Sequence, residues 1–147
     1  MVRRTNKCTV FGFFPRAAAT NAKSMEQLIL HLLGDFVTQS DWMATNKTNR
    51  SWPAFCHAVV YSLPFLLIGS PAAVSVIFVT HFFIDRFRLI RYLIWAKNWL
   101  SPQRHPWSEC SATGFHHSTP DWLATWLMII SDATIHLICN YSALRWL

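Results

Sequence analysis

Residues 71–91 read PAAVSVIFVTHFFIDRFRLIR. From Pro71 to Ile84 the segment is apolar apart from two hydroxyls and the imidazole of His81, and Asp85 follows one helical turn after that imidazole. Beyond Asp85, arginines alternate with apolar residues. A continuous apolar run, rather than an amphipathic stripe, is typical of a helix buried in a membrane. We therefore expect a membrane helix that begins at Pro71 and continues along the membrane surface after Asp85.

The rest of the chain repeats this organisation. Further apolar blocks span about 25–43, 52–68 and 121–142. Gly69-Ser70-Pro71 combines a helix stop with a proline suited to a first turn, and so predicts a helical hairpin. The expected fold is an all-α polytopic bundle of about four helices, the first being short or re-entrant. We expect residues 1–24 to form a basic extension with little fixed structure and residues 25–147 to form the membrane domain.

Composition supports a membrane protein. Hydrophobic residues make up 52% of the 147-residue chain and charged residues 14%, whereas a soluble domain carries about 25% charged residues. The length fits one folding unit.

The cysteines show no CxxC spacing and are expected to be packing residues. Tryptophans cluster at the block ends, as interfacial residues do; these are Trp42, Trp52, Trp95, Trp99, Trp107, Trp122 and Trp146.

The distribution of charge argues against a nucleic-acid-binding protein. Five of the thirteen basic residues lie in the first 24 positions, and from Met25 onward eight basic residues face seven acidic ones. A nucleic-acid-binding domain would carry its basic surface on the folded part. The basic residues in the first loop and after the third block instead follow the positive-inside pattern, which places both segments in the cytoplasm.

Histidines and aspartates occur inside every apolar block. Three pairs are four residues apart, so each pair shares one helical face. Ionised aspartates in a bilayer cost about 2.5 to 3.5 kcal/mol each on insertion scales, and a divalent metal would neutralise them. The candidate ligands for one or two ions of zinc, manganese or iron are His31, Asp35, His57, His81, Asp85, Asp132 and His136. The alternative is a metal-free polar core or proton relay that ties the helices together.

Other polar residues are candidates for supporting roles. Gln39 and Asn140 extend the first and fourth polar faces by one turn and would orient ligands or substrate. Arg86 and Arg88 would contact a lipid phosphate, the alternative being ordinary interfacial anchoring. The histidines of the loop at 98–118 are expected to be solvated, and we leave them outside the site.

Three strings of this sequence carry a family resemblance: HLLGDFVTQ at 31–39, HFFIDR at 81–86 and DATIHLICN at 132–140. Over residues 25–147 the chain resembles the bacterial and phage membrane family known as domain of unknown function 3307. That family has no established activity, so the resemblance implies a four-helix membrane fold, a bacterial or phage origin and location in the bacterial inner membrane. A looser analogy exists to bacterial membrane-bound metal-dependent hydrolases, without a shared contiguous motif.

Two functions follow as hypotheses. The first is an intramembrane metal-dependent hydrolase that acts on a lipid-like ester or phosphoester, since a bound metal lowers the pKa of water towards about 7. The second is a non-enzymatic membrane protein, either a metal or proton conduit or a phage factor acting on host membrane proteins. The expected partner is membrane lipid, and a homo-oligomer is compatible with both hypotheses.

Overall fold

The computed structural model describes residues 15–147, with side chains from Ser24 onward. This part of the chain is all-helical, as predicted, and contains seven α-helices. Their bounds are α1 Pro15–Leu32, α2 Asp41–Asn46, α3 Ser51–Ser62, α4 Pro71–Phe87, α5 Leu89–Trp99, α6 Trp107–Cys110 and α7 Asp121–Trp146. A π-helical turn, Leu33–Val37, continues α1, and a 3₁₀ segment, Leu63–Leu67, continues α3. Helix α1 thus reaches into the segment predicted to be an extension, while residues 1–14 lie outside the described part.

The structure has more helices than the four expected, because two apolar blocks break and the segment predicted to be a loop at 98–118 contains the short helix α6. The first block ends in the π turn, and a new helix, α2, starts after Ser40, whose hydroxyl accepts a hydrogen bond from the Met43 amide at 3.3 Å. The third block breaks at Arg88, a non-glycine residue in the left-handed conformation with φ 48°. Gln39 therefore lies between two helices and does not extend the face of the first.

The predicted hairpin at Gly69-Ser70-Pro71 is confirmed. Ser70 is the N-cap of α4 and accepts a hydrogen bond from the Ala73 amide at 3.1 Å, while Pro71 occupies the first turn, where no amide donor is needed. Helices α3 and α4 pack against each other, and α4 also packs on α7. Helix α1 and helix α5 both pack on α7, so α4 and α7 form the centre of the bundle.

One helix in the described part is long and apolar enough to cross a membrane, namely α7, and only 11% of its apolar window is buried inside the protein. Large apolar side chains are also exposed on the other helices, for example Phe36, Leu67 and Phe83. One cluster of buried apolar residues in the core consists of Tyr61, Phe65, Ala73, Ile77 and Ala143. Exposed apolar surface of this extent marks contact with a membrane or another apolar partner.

Gly34 allows the π turn to approach α3 closely. A Cβ atom at this position would lie 2.4 Å from Cδ2 of Tyr61, which is buried and packed on all sides. We expect Gly34→Ala to lower the free energy of unfolding by about 1–3 kcal/mol, because overpacking forces neighbouring groups to shift. Thermal unfolding in detergent measures the effect. An unchanged midpoint would show that Tyr61 can move without cost.

Candidate metal centre

Four side chains from three helical segments direct one atom each at a common point. The atoms are Nε2 of His57 on α3, Nε2 of His81 and Oδ2 of Asp85 on α4, and Oδ1 of Asp35 in the π turn. The two imidazole nitrogens are 2.9 Å apart. His57 Nε2 lies 3.2 Å from the Asp35 oxygen and 3.1 Å from the Asp85 oxygen. His81 Nε2 lies 3.4 Å and 3.2 Å from the same two oxygens.

Five of the six separations among these four atoms match the edges of a tetrahedral metal site. Zinc binds imidazole nitrogen and carboxylate oxygen at about 2.0–2.1 Å, so ligand atoms at the corners of a tetrahedron lie about 3.3 Å apart. The five separations above range from 2.9 to 3.4 Å. The ligand types and the spacing therefore both fit a divalent transition metal.

The hydrogen bonding of the cluster is incomplete without such an ion. Oδ1 of Asp35 is buried and accepts no hydrogen bond of acceptable geometry from the described residues. The Nδ1 atoms of His57 and His81 are also buried without a partner there, and an ion bound at the two Nε2 atoms would leave them so. Buried polar atoms are rarely left in this state.

A lysine between α2 and α3 compensates part of the buried charge. Lys47 Nζ lies 2.8 Å from Asp85 Oδ2 and 3.2 Å from His57 Nε2, with 18% of its side chain exposed. The ammonium group balances one of the two carboxylates in the four-atom cluster. A divalent ion would balance both.

Asp85 also faces a second group of candidate ligands on α7. Its other oxygen, Oδ1, lies 3.7 Å from His136 Nε2, which is buried and has no hydrogen-bond partner among the described residues. His136 Nδ1 lies 3.0 Å from the backbone carbonyl oxygen of Asp132, and donation to that carbonyl places the proton on Nδ1. The Nε2 atom faces the Asp85 carboxylate. Asp85, Asp132 and His136 thus form a second set that shares Asp85 with the first.

His31, the remaining predicted ligand, lies beside the cluster rather than in either set. Its Nδ1 atom is 2.8 Å from the Tyr61 hydroxyl and 3.4 Å from Asp35 Oδ2. The same hydroxyl accepts a hydrogen bond from Asn140 Nδ2 at 2.7 Å, and its own proton is available to His31. The Tyr61 ring stacks on His81 with centroids 3.6 Å apart. Tyr61 therefore holds groups from α1, α4 and α7 around the site.

Removal of the Tyr61 hydroxyl tests this network. We expect Tyr61→Phe to lower the free energy of unfolding by about 1–3 kcal/mol, since the buried Asn140 amide loses its acceptor. The matched control is Tyr141→Phe, because 51% of Tyr141 is exposed, and surface changes usually stay within about 0.5 kcal/mol. Equal unfolding midpoints for both variants in thermal scans would contradict the assigned role.

The cluster opens into a cleft of about 450 Å³. Its polar wall consists of the three carboxylates together with Gln39, Lys47, Thr48 and Arg88. The apolar part of the lining, called the apolar wall below, is formed by Phe36, Ile84, Ile90, Met128, Ile129 and Ala133. Gln39, although it lies off the helix, is thus at the cleft, and its Oε1 atom is buried without a partner in the described part.

The two arginines predicted to contact phosphate lie in different surroundings. Arg86 donates from Nη1 to the Thr48 carbonyl at 2.8 Å and from Nε to the Ser51 hydroxyl at 3.2 Å, so it holds the loop that carries Lys47. It is not among the residues that line the cleft. Arg88 lines the cleft, and its Nη2 donates to the Ala112 carbonyl at 3.1 Å.

The sequence analysis missed Lys47 and Tyr61. Tyr61 follows His57 by four residues on the same helix, and that spacing, applied to tyrosine as well as to aspartate, would have found it. Lys47 carries no comparable signal, because it lies between α2 and α3 and reaches Asp85 only through the fold.

The loop histidines, which the sequence analysis left outside the site, are partly exposed and contact one another, and His105, Glu109 and His116 form a third group of possible metal ligands. His116 Nε2 lies 3.1 Å from Glu109 Oε2, and the rings of His105 and His116 stack with centroids 3.8 Å apart. His116 Nδ1 accepts the Ser118 amide proton at 3.2 Å, so the imidazole proton is on Nε2 and is donated to Glu109. The contacts of His116 are complete without an ion.

Comparison with known proteins identifies a family. The family model described as "Protein of unknown function (DUF3307)" matches residues 24–139. No curated protein and no solved structure matches this chain. The match includes all seven predicted ligands, as well as Lys47 and Tyr61. The chain therefore belongs to the DUF3307 family, as its histidine and aspartate strings predicted.

Proposed function

We propose that this protein is a metal-dependent hydrolase of the bacterial inner membrane that acts on a lipid-like ester or phosphoester. The observation that carries the proposal is the convergence of four ligand atoms at separations of 2.9–3.4 Å beside an open cleft. Zinc, manganese or iron accepts this set of two imidazoles and two carboxylates. The shared Asp85 offers a place for a second ion.

The exposed apolar surface supports a position in the membrane. Helix α7 is long enough to span a bilayer, and the apolar helix at Ser51–Leu67 lies beside α4. We propose a multi-pass arrangement in which α1, α3, α4 and α7 cross the membrane, with the Lys47 loop on the cytoplasmic side. A lipid would then enter the cleft sideways from the bilayer, along its apolar wall.

The reaction would be hydrolysis by one water molecule. The water oxygen bonds to the carbonyl carbon or phosphorus, the bond to the leaving oxygen breaks, and the leaving alcohol takes up a proton. A bound metal supplies hydroxide at neutral pH. The protein holds the ligands Asp35, His57, His81 and Asp85 in place. It also places the ester bond beside them, in a cleft that is shielded by apolar side chains.

Metal content and lipid turnover together test this proposal. Elemental mass spectrometry of detergent-purified protein should find one or two transition-metal ions per chain, with loss of the ion of the four-atom cluster in His81→Ala and loss of at most one ion in Asp132→Ala. His117→Ala and Asp41→Ala, which change exposed residues outside the cleft and outside every group of possible metal ligands, are the controls. Turnover of bacterial lipid extract should disappear in the first two variants only. A folded protein without metal, or unchanged turnover in both variants, refutes the hydrolase.

A proton or metal conduit is the alternative, and one observation favours it. Asn140, Tyr61, His31 and Asp35 form a continuous series of polar contacts, with separations of 2.7, 2.8 and 3.4 Å, that leads into the cluster. Such a series of polar contacts is suited to passing protons from one group to the next. The conduit predicts proton or metal flux into protein-containing liposomes without any lipid product, whereas the hydrolase predicts product without flux.

A further inference from the structure

The cleft beside the cluster carries two cationic side chains whose roles differ from those of the ligands. Lys47 is the ammonium partner of Asp85, at 2.8 Å. If a divalent ion balances both carboxylates of the four-atom cluster, the Lys47 charge is no longer needed there. It remains at the wall of the cleft, where it can bind an anion.

Arg88 is the second cation. No carboxylate of residues 24–147 lies within 4 Å of its guanidinium, and its hydrogen bonds are to the Ala112 carbonyl and, weakly, to the Met128 sulfur. Its backbone is left-handed, with φ 48° and ψ 50°, a conformation that is unfavourable for any residue with a Cβ atom. Helices commonly end in this conformation, which here ends α4 at Arg88, a residue that lines the cleft.

We propose that Lys47 and Arg88 together bind the phosphate of a membrane phospholipid, whose chain lies along the apolar wall of the same cleft. This inference rests on the proposed function, because it names the substrate class of that site. A guanidinium and an ammonium group are the usual partners of phosphate oxygens. The apolar wall formed by Phe36, Ile84, Ile90, Met128 and Ile129 matches an acyl chain rather than a free anion.

Binding of the phosphate depends on whether the negative charge of the carboxylates in the cleft is balanced. Asp35, Asp85 and Asp132 line the cleft and repel an anion as long as their charge is not balanced. Phosphate binding should therefore depend on the divalent ion, and metal-free protein should bind the lipid phosphate weakly. A neutral ester lipid would gain nothing from Lys47 and Arg88.

The experiment measures binding without turnover. Full-length zinc-loaded protein in maltoside micelles is titrated with dodecyl phosphate, and separately with inorganic phosphate, while ³¹P NMR follows the bound signal against empty micelles. Lys47→Met and Arg88→Gln should each weaken dodecyl phosphate binding by about tenfold or more, as expected for charge-assisted contacts. Lys97→Met and Arg50→Gln, which alter exposed cations outside the cleft, should leave it unchanged. Chelation of the metal should weaken it in the unaltered protein.

Metal content is measured on the same samples so that the two ideas can fail separately. Bound zinc with tight, Lys47- and Arg88-dependent binding of dodecyl phosphate, and weak binding of inorganic phosphate, supports the inference. Bound zinc with unchanged binding in both variants, or with equal affinity for inorganic phosphate, overturns the lipid-phosphate assignment and leaves the hydrolase intact. Failure of zinc, manganese and iron alike to bind overturns the proposed function and this inference with it.

Discussion

Asp85→Asn is expected to remove all bound metal, whereas Asp132→Asn is expected to remove at most one ion. Asp85 faces the four-atom cluster through Oδ2 and the His136 group through Oδ1. Asparagine keeps the volume but not the charge, and its amide group cannot serve both sides as an anionic ligand. Asp132 belongs to the second set only.

The expected loss of affinity in Asp85→Asn exceeds about 100-fold, the upper end of the losses seen when only a partner of a metal ligand is removed. Zinc titration with a competing chelator measures it, and elemental mass spectrometry gives the stoichiometry. Asp121→Asn, at the exposed start of α7, is the control for loss of one carboxylate. Equal stoichiometry in the Asp85 and Asp132 variants would argue against a shared aspartate.

Lys47→Met is expected to destabilise the metal-free protein far more than the metal-loaded protein. Without metal, the substitution leaves Asp85, of which 6% is exposed, without its ammonium partner. Breaking a buried ion pair in this way costs about 3–5 kcal/mol, and the partial exposure of Lys47 places the effect near the lower limit. With metal bound, the carboxylate keeps a cationic partner and the loss should be small.

Thermal unfolding of the variant and the unaltered protein, each with chelator and with zinc, provides the comparison. Lys97→Met controls for the loss of an exposed lysine. The loss of stability with chelator is compared with the loss with zinc. A conduit or helix-tying cluster that binds no metal predicts the same loss in both conditions. A loss that disappears only with zinc supports a metal centre at Asp85.

The sequence by itself determined the all-helical fold, the hairpin at Gly69-Ser70-Pro71 and most of the polar cluster. Apolar blocks specify helices because each block must bury or shield its own backbone polar groups. A spacing of four residues places His81 and Asp85 on one face regardless of what that face contacts. These properties are local, so a linear pattern contains them. The family assignment follows from the same strings.

Only the tertiary structure decided which polar groups meet. Lys47 lies 38 residues before Asp85 in the chain, yet their charged atoms are 2.8 Å apart, and no periodicity indicates that contact. The π turn at Leu33–Val37 likewise directs Asp35 to His57 and His81. His31, four residues before Asp35, instead forms a hydrogen bond with Tyr61. Helical spacing fixes a face, whereas the packing of α1, α3, α4 and α7 fixes which atoms converge on one point.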